Sequence, residues 1–193
     1  MKKENKVVFC VQFLIISLLF FSCKEKKTEQ LSTDTVYINI DSIVQSDIDL
    51  NMRENCKMEK LAFVNSLKEK KLTDSVDWKQ ELDILKDCDI NKPSWKGKFK
   101  VDIVPTTIAH LGCMQYFYRS IDTKIPIKSI TVNKDSLDRI LNILIQKKIE
   151  SFLFSSNQQI EYIPRFGYSV RSDQKTSLFS TFNVNVDVKY ICK

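Results

Sequence analysis

The sequence predicts an α+β fold in which N-terminal helices pack against an antiparallel β-meander sheet, and three observations carry that prediction. Before Trp95, apolar residues recur at spacings of three and four, as in helices with one buried stripe. From Phe99 onward the period falls to two, as in strands with one buried face. The last strand is the plainest. Phe182, Val184, Val186, Val188, Tyr190 and Cys192 lie on one side, with Asn183, Asn185, Asp187 and Lys189 on the other. That is a strand half buried and half wet.

The first helix is expected from Asp41 to about Lys60, because Ile43, Val44, Ile48, Met52 and Cys56 fall on one stripe. Lys57 to Thr73 reads two ways: Leu61, Phe63 and Leu67 among many lysines either continue the helix or turn back as a short β-hairpin. A second helix is expected behind Ser75, a residue type able to cap it. It would bury Trp78, Leu82, Leu85 and Ile84 and end near Cys88. Asp89-Ile90-Asn91-Lys92-Pro93 stops it, since a proline disfavours helical geometry in the residue before it.

In the meander, Phe99, Val101 and Ile103 alternate with Lys98, Lys100 and Asp102. Leu111 to Arg119 follows, rich in aromatics, and then Ile125 to Val132. Pro105, Pro126 and Pro164 read as segment borders, where a missing N–H costs least. Over Ser136 to Lys148 the periodicity favours a helix. Leu137, Ile140, Leu141, Leu144 and Ile145 have helical spacing behind Asp135, a good cap, although Leu141, Ile143 and Ile145 also alternate as a strand would.

The start of the chain has a different character. Met1 to Lys6 is basic, and Val7 to Phe21 is apolar apart from Gln12 and Ser17. That is the layout of an export signal, with an apolar run too short for a comfortable membrane span. Leu18-Leu19-Phe20-Phe21-Ser22-Cys23-Lys24 resembles the lipobox of bacterial lipoproteins, with Phe20 where Leu is usual. The resemblance implies removal of residues 1–22 and acylation of Cys23. Two or three acyl chains hold a protein on a membrane where one does not. Lys24, in place of the Asp of an inner-membrane retention signal, implies the outer membrane, with the periplasmic face ahead of the cell surface. Residues 23–35 read as lipid anchor and polar, disordered tether. Residues 36–193 are a size typical of one domain.

Composition removes several classes of function. Net charge is +6, but lysines and acids are interleaved, without an Arg-rich helix or an aromatic-basic motif, so no nucleic-acid partner is expected. Gly97, Gly112 and Gly167 are the only glycines, too few and too scattered for a phosphate-cradling loop. His110 is the only histidine, and no Gly-x-Ser-x-Gly elbow exists. Cys113, three residues from His110 in a strand edge or loop and a disulfide candidate, reads as a structural cysteine rather than as a thiolate activated by that histidine. No catalytic residue, metal site or cofactor is expected. Of six cysteines, Cys10 leaves with the leader and Cys23 takes the lipid. Cys56, Cys88, Cys113 and Cys192 remain as disulfide candidates in an oxidising compartment. The preferred pairing is Cys56–Cys88 and Cys113–Cys192.

Two stretches carry a further resemblance. Asp77-Trp78-Lys79-Gln80-Glu81-Leu82 with Asp89-Ile90-Asn91-Lys92-Pro93 is similar to the signature of an uncharacterised family of Bacteroidetes lipoproteins. Phe152-Leu153-Phe154-Ser155-Ser156, Ile160-Glu161-Tyr162 and Gly167-Tyr168-Ser169-Val170 resemble that family's second block, with Ser151 and Phe154 replacing Asn and Tyr. The resemblance implies a hairpin over Ala62–Leu72 and a strand, not a helix, over Arg139–Gln146. It implies no known activity.

The expected function is therefore a non-catalytic, membrane-anchored envelope lipoprotein that binds or supports another envelope component. The alternative is a carrier or binder of a hydrophobic ligand in a curved antiparallel sheet. Its candidate lining is Tyr116, Tyr118, Phe152 and Phe154, within an apolar load that includes Met114, Phe117, Phe179 and Phe182.

Overall fold

Helix α1 (Ile40–Arg53) begins where the Asn39 side chain accepts a hydrogen bond from the Ser42 amide at 2.8 Å, capping an otherwise orphaned N–H. A computed structural model of the chain describes residues 37–65, 67–108, 111–176 and 181–192. The leader, Cys23, the tether, His110 and Phe179 lie outside them. Ile40, Val44 and Ile48 are fully buried on one stripe of α1. The helix stops at Arg53, short of the expected Lys60, because Asn55 takes a left-handed conformation (φ 48°). Asparagine tolerates that region well, and the chain turns into a strand.

The second helical region is two short turns, α2 (Trp78–Glu81) and α3 (Asp83–Lys86). Asp77, not Ser75, caps it, accepting from the Lys79 and Gln80 amides at 3.1 Å each. Trp78, Leu82 and Leu85 are buried, as their spacing required, Ile84 is half-buried, and Cys88 beyond α3 is buried as well. Asp89 accepts from the Ile40 backbone amide at 3.1 Å, and the Asn91 side-chain Nδ2 donates to the Ile38 carbonyl at 2.8 Å. These two residues thus tie the start of α1 to the turn that ends α3.

Among the described residues, nine strands make one antiparallel sheet in the order β2-β1-β9-β8-β7-β6-β5-β4-β3. They are β1 (Lys57–Val64), β2 (Leu67–Thr73), β3 (Phe99–Ile108), β4 (Leu111–Ser120), β5 (Ile127–Asp135), β6 (Ile140–Glu150), β7 (Phe154–Ile163), β8 (Gly167–Thr176) and β9 (Phe182–Ile191). The run from β3 to β9 is an unbroken meander, and the β1–β2 hairpin adds beside β9. Pro105 lies inside β3 rather than at a border; β3 is an edge strand, where a residue without an N–H is tolerated.

The segment over Ser136–Lys148, helical by periodicity, is mostly β6, held between β5 and β7. Asp135 does act as a cap, but of a turn. It accepts the Leu137 and Arg139 amides at 2.9 Å, with Asp138 left-handed (φ 62°). The Arg139 backbone N–H foremost holds the Asp135 carboxyl below the usual carboxylate range.

One face of the sheet takes the helices. Ile40, Val44, Ile48, Leu82 and Leu85 share a core with Ile130, Val132, Ile143, Ile145, Ile160, Tyr162 and Val170. Each such side chain contributes about 1.5–3 kcal/mol on leaving water. The described core, its helices and its disulfide all fall in one compact unit, Thr35–Lys193, which therefore holds its own fold.

One polar contact fastens α1 across the sheet. Buried Asp47 accepts from the Tyr162 hydroxyl and the Arg165 amide, both at 2.7 Å, and burial raises its pKa against the pull of those bonds. Asp47→Ala is expected to cost about 2–3 kcal/mol, because the buried Tyr162 hydroxyl loses its acceptor. Asp47→Asn keeps an acceptor oxygen and should cost less. Burial adds a separate, proton-linked contribution: with the folded pKa above the unfolded one, it is complete below the ordinary carboxylate range and is lost as pH rises through the folded value. Urea unfolding across that range should show a smaller fall for Asp47→Asn than for wild type. An identical fall in both would remove Asp47 as its source.

The disulfide differs from the expected pairing. Cys56 bonds Cys192 across a sequence separation of 136. The register explains it: Lys57 opposes Ile191, so the residue before β1 meets the residue after β9. Cys113 lies in β4, with four strands between it and β9, out of reach of Cys192. Cys88 is a buried free thiol beside the Ile84 carbonyl, and burial pushes its pKa up to about 11.

Candidate functional site

The face that carries the helices has a second, more exposed region. Parity places Ile149, Ser156, Gln174 and Phe182 in one cross-strand row, and Lys147, Gln158, Ser172, Val184 and Val64 in the next. Phe154 opposes Thr176 beyond them. These rows continue the face of Ile145, Ile160 and Val170, yet Ile149, Phe182 and Val64 are exposed. Ser156 and Ser172 are buried there with their hydroxyls 3.3 Å apart, each satisfying the other. The adjoining turns project further apolar groups, Phe152 (95% exposed) and Leu153 between β6 and β7 and Leu67 (78%) at the β1–β2 turn. These apolar groups gather at one end of the face, with Lys147, Gln158 and Gln174 of the same rows among them, and exposed apolar groups that gather in this way are a feature of interaction surfaces.

The four aromatics proposed as a lining fall into two separate places. Tyr118 is a core residue, edge-on to Tyr37 at 6.3 Å, and burial raises its pKa. Tyr116 is half-buried opposite Val132 under the Lys134 ammonium, 5.0 Å from the ring centroid. Phe152 and Phe154 stand at the start of β7, with β5 and β6 between them and β4. Phe117 opposes Asp102 and Thr131 on the other face, and Met114 pairs with the edge strand at Pro105. Phe182 joins the Phe154 corner. Ile149, Val64 and Leu67 complete it, and only the strand register reveals them.

The opposite, outer face holds a groove of about 530 Å³ across β1, β9, β8 and β7. Leu61, Ile163 and Phe166 share it with Glu59, Glu161, Asp187 and Lys189. Glu59 is closed by Lys70 at 2.8 Å, a bond that lowers its pKa. Gly167, Tyr168, Val188 and Tyr190 also line it, so charged groups rim a largely apolar floor. Glu54, Cys56 and Cys192 lie close together, but both sulfurs are spent in the disulfide, so they hold no metal. No helix among the described residues is long and apolar enough to cross a membrane.

Fold and site together define an antiparallel-sheet domain with an apolar corner on the face that carries the helices. No family model matches the chain, and no curated protein matches it. Among solved structures, a LolA superfamily protein from Nitrosomonas europaea is similar at 7% identity with a TM-score of 0.29, over 81% of this chain and 94% of that one. An overlap that loose bears on neither fold nor function.

Proposed function

We propose that this is a non-catalytic envelope lipoprotein, anchored through Cys23, whose apolar corner binds a hydrophobic group such as an acyl chain. The observation that carries the reading is the register-aligned strip of Ile149, Phe154, Phe182, Val184 and Val64 on the face of the core but outside it. The paired Ser156 and Ser172 hydroxyls support it, because the two buried hydroxyls of these rows bond each other and need no polar partner from a ligand. The protruding Phe152 and Leu67 favour a second reading, docking of another envelope component onto the same corner.

Native mass spectrometry of residues 24–193, exported without the lipid cysteine, separates the two. A co-purified adduct with the mass of a lipid or fatty acid is expected. Phe154→Asp with Phe182→Asp should reduce its occupancy at least fivefold while the domain still melts cooperatively. A bare mass, together with no displacement of a fluorescent fatty acid, would leave partner docking as the function of the corner.

A further inference from the structure

We propose that the outer face of the sheet carries a second binding site, for an acidic oligosaccharide, on the side opposite the apolar corner and independent of it. That face is rich in carboxamides, and they form two contrasting sets. One set is closed on itself. Gln115 donates to Asn133 at 2.8 Å, Asn133 to Asn142 at 2.7 Å, and Asn142 to the Glu161 carboxylate at 3.1 Å, a ladder across β4, β5, β6 and β7. Its amides are consumed in holding strands together.

The neighbouring set is open. Gln146, Gln159, Arg171 and Asn185 oppose one another in a row across β6, β7, β8 and β9, and Lys148, Asn157 and Asp173 form the next row. All of the carboxamides here and Arg171 are exposed, and none bonds another side chain among the described residues. Together they line a groove of about 410 Å³.

The chemistry of the groove selects its ligand. Each carboxamide offers one acceptor oxygen and two N–H donors, which matches a sugar hydroxyl, itself both donor and acceptor. Strands lie about 4.8 Å apart, so the Gln146–Asn185 row extends roughly 14 Å and suits an oligomer better than a single ring. Four cations, Lys128, Lys147, Lys148 and Arg171, line the groove with one acid, Asp173, and Lys147 belongs by register to the row on the core face. Two of them are engaged: Lys148 pairs with Glu150 at 2.7 Å, and Lys128 donates to the Thr123 and Ile125 carbonyls at 2.8 Å. Arg171 is left for the ligand, and its planar fork fits a carboxylate or phosphate in two parallel bonds. A wet sheet face needs only solvated polar groups. It does not need amides held apart beside a row that has closed.

The test is an array of uronic-acid-bearing, phosphate-bearing and neutral oligosaccharides with single-stranded DNA as a charge control, probed with the Thr35–Lys193 domain. Retained species are then titrated by calorimetry. An acidic oligosaccharide is expected to bind in preference to its neutral counterpart and to DNA. Arg171→Gln should weaken it at least tenfold and Gln159→Ala with Asn185→Ala at least fivefold, whereas Gln115→Ala in the closed ladder should leave it unchanged. All these positions except Gln115 are exposed, and circular dichroism verifies the fold of each variant. Retention of no acidic oligosaccharide, equal retention of DNA, or undiminished binding by Arg171→Gln would each overturn the assignment.

Discussion

Replacing both Cys56 and Cys192 with serine is expected to lower the stability of the domain by about 4–5 kcal/mol. The bond closes nearly the whole folded chain, with a sequence separation of 136. In the chain-entropy account, a loop of that size restrains the unfolded ensemble close to the upper end of what a disulfide delivers. The melting temperature should fall by roughly 10–15 °C, at about 2–4 °C per kcal/mol for a domain of this size. The location adds to the effect. β1 reaches the meander only through β9, with β2 as the sheet edge beyond it, so the disulfide pins the end of the one register that joins the N-terminal hairpin to the rest. The double variant leaves neither partner as a stray thiol. Wild type treated with reductant should unfold with the same midpoint in urea as the variant. A loss under about 1 kcal/mol would mean that the Lys57–Ile191 register holds without the clasp.

What the sequence discloses here is local. The wet and dry sides of β9 and the burial of Val44 and Ile48 in α1 were legible because each rests on residues a few positions apart, although Met52 of the same expected stripe is exposed and Ile43 only half-buried. Trp78, Leu82 and Leu85 were legible as a buried face for the same reason. Over Ser136–Lys148 two periods fit the same leucines and isoleucines, and local pattern favoured the wrong one. Pairing with β5 and β7 on both sides decides in favour of strand, and the capping oxygen of Asp135 serves a turn as readily as a helix.

What was not legible depends on strand order. Cys56 meets Cys192 because the hairpin adds beside the last strand, a fact held by no stretch of sequence on its own. The aromatics divide into a core pair on β4 and a corner pair at β7 for the same reason. Among the corner residues, Phe154 and Phe182 could be picked out by size. Ile149 and Val64 look like ordinary strand residues until register aligns them. The open amide row is a sharper case: Gln146, Gln159, Arg171 and Asn185 come from four strands and share no motif.

Gly167→Ala is expected to be among the most damaging single substitutions in the domain, at about 3–5 kcal/mol. Gly167 opens β8 with φ at 143°, a conformation that side-chain-bearing residues rarely adopt. Strain of that kind costs about 1–3 kcal/mol. Contact adds more: an alanine Cβ would sit 2.0 Å from the Val188 carbonyl oxygen and 2.9 Å from its carbon, with the Lys189 Cα at 3.1 Å. All three neighbours are backbone, so no side chain can turn aside and β9 itself must move. That movement would reach the core, because Tyr168 beside the glycine binds Glu81, and Tyr190 packs edge-on against Trp78 with ring centroids 5.0 Å apart. Gly97→Ala is the comparison: its φ is 73° but nothing lies within 4 Å of a new Cβ, so it should cost only the backbone penalty, about 1 kcal/mol. Gly112→Ala, with open space and ordinary backbone, should be nearly neutral. Urea unfolding of the three variants tests the order. Equal losses at Gly167 and Gly97 would show that β9 yields to the extra carbon, and that the close approach of the two strands is not what the glycine secures.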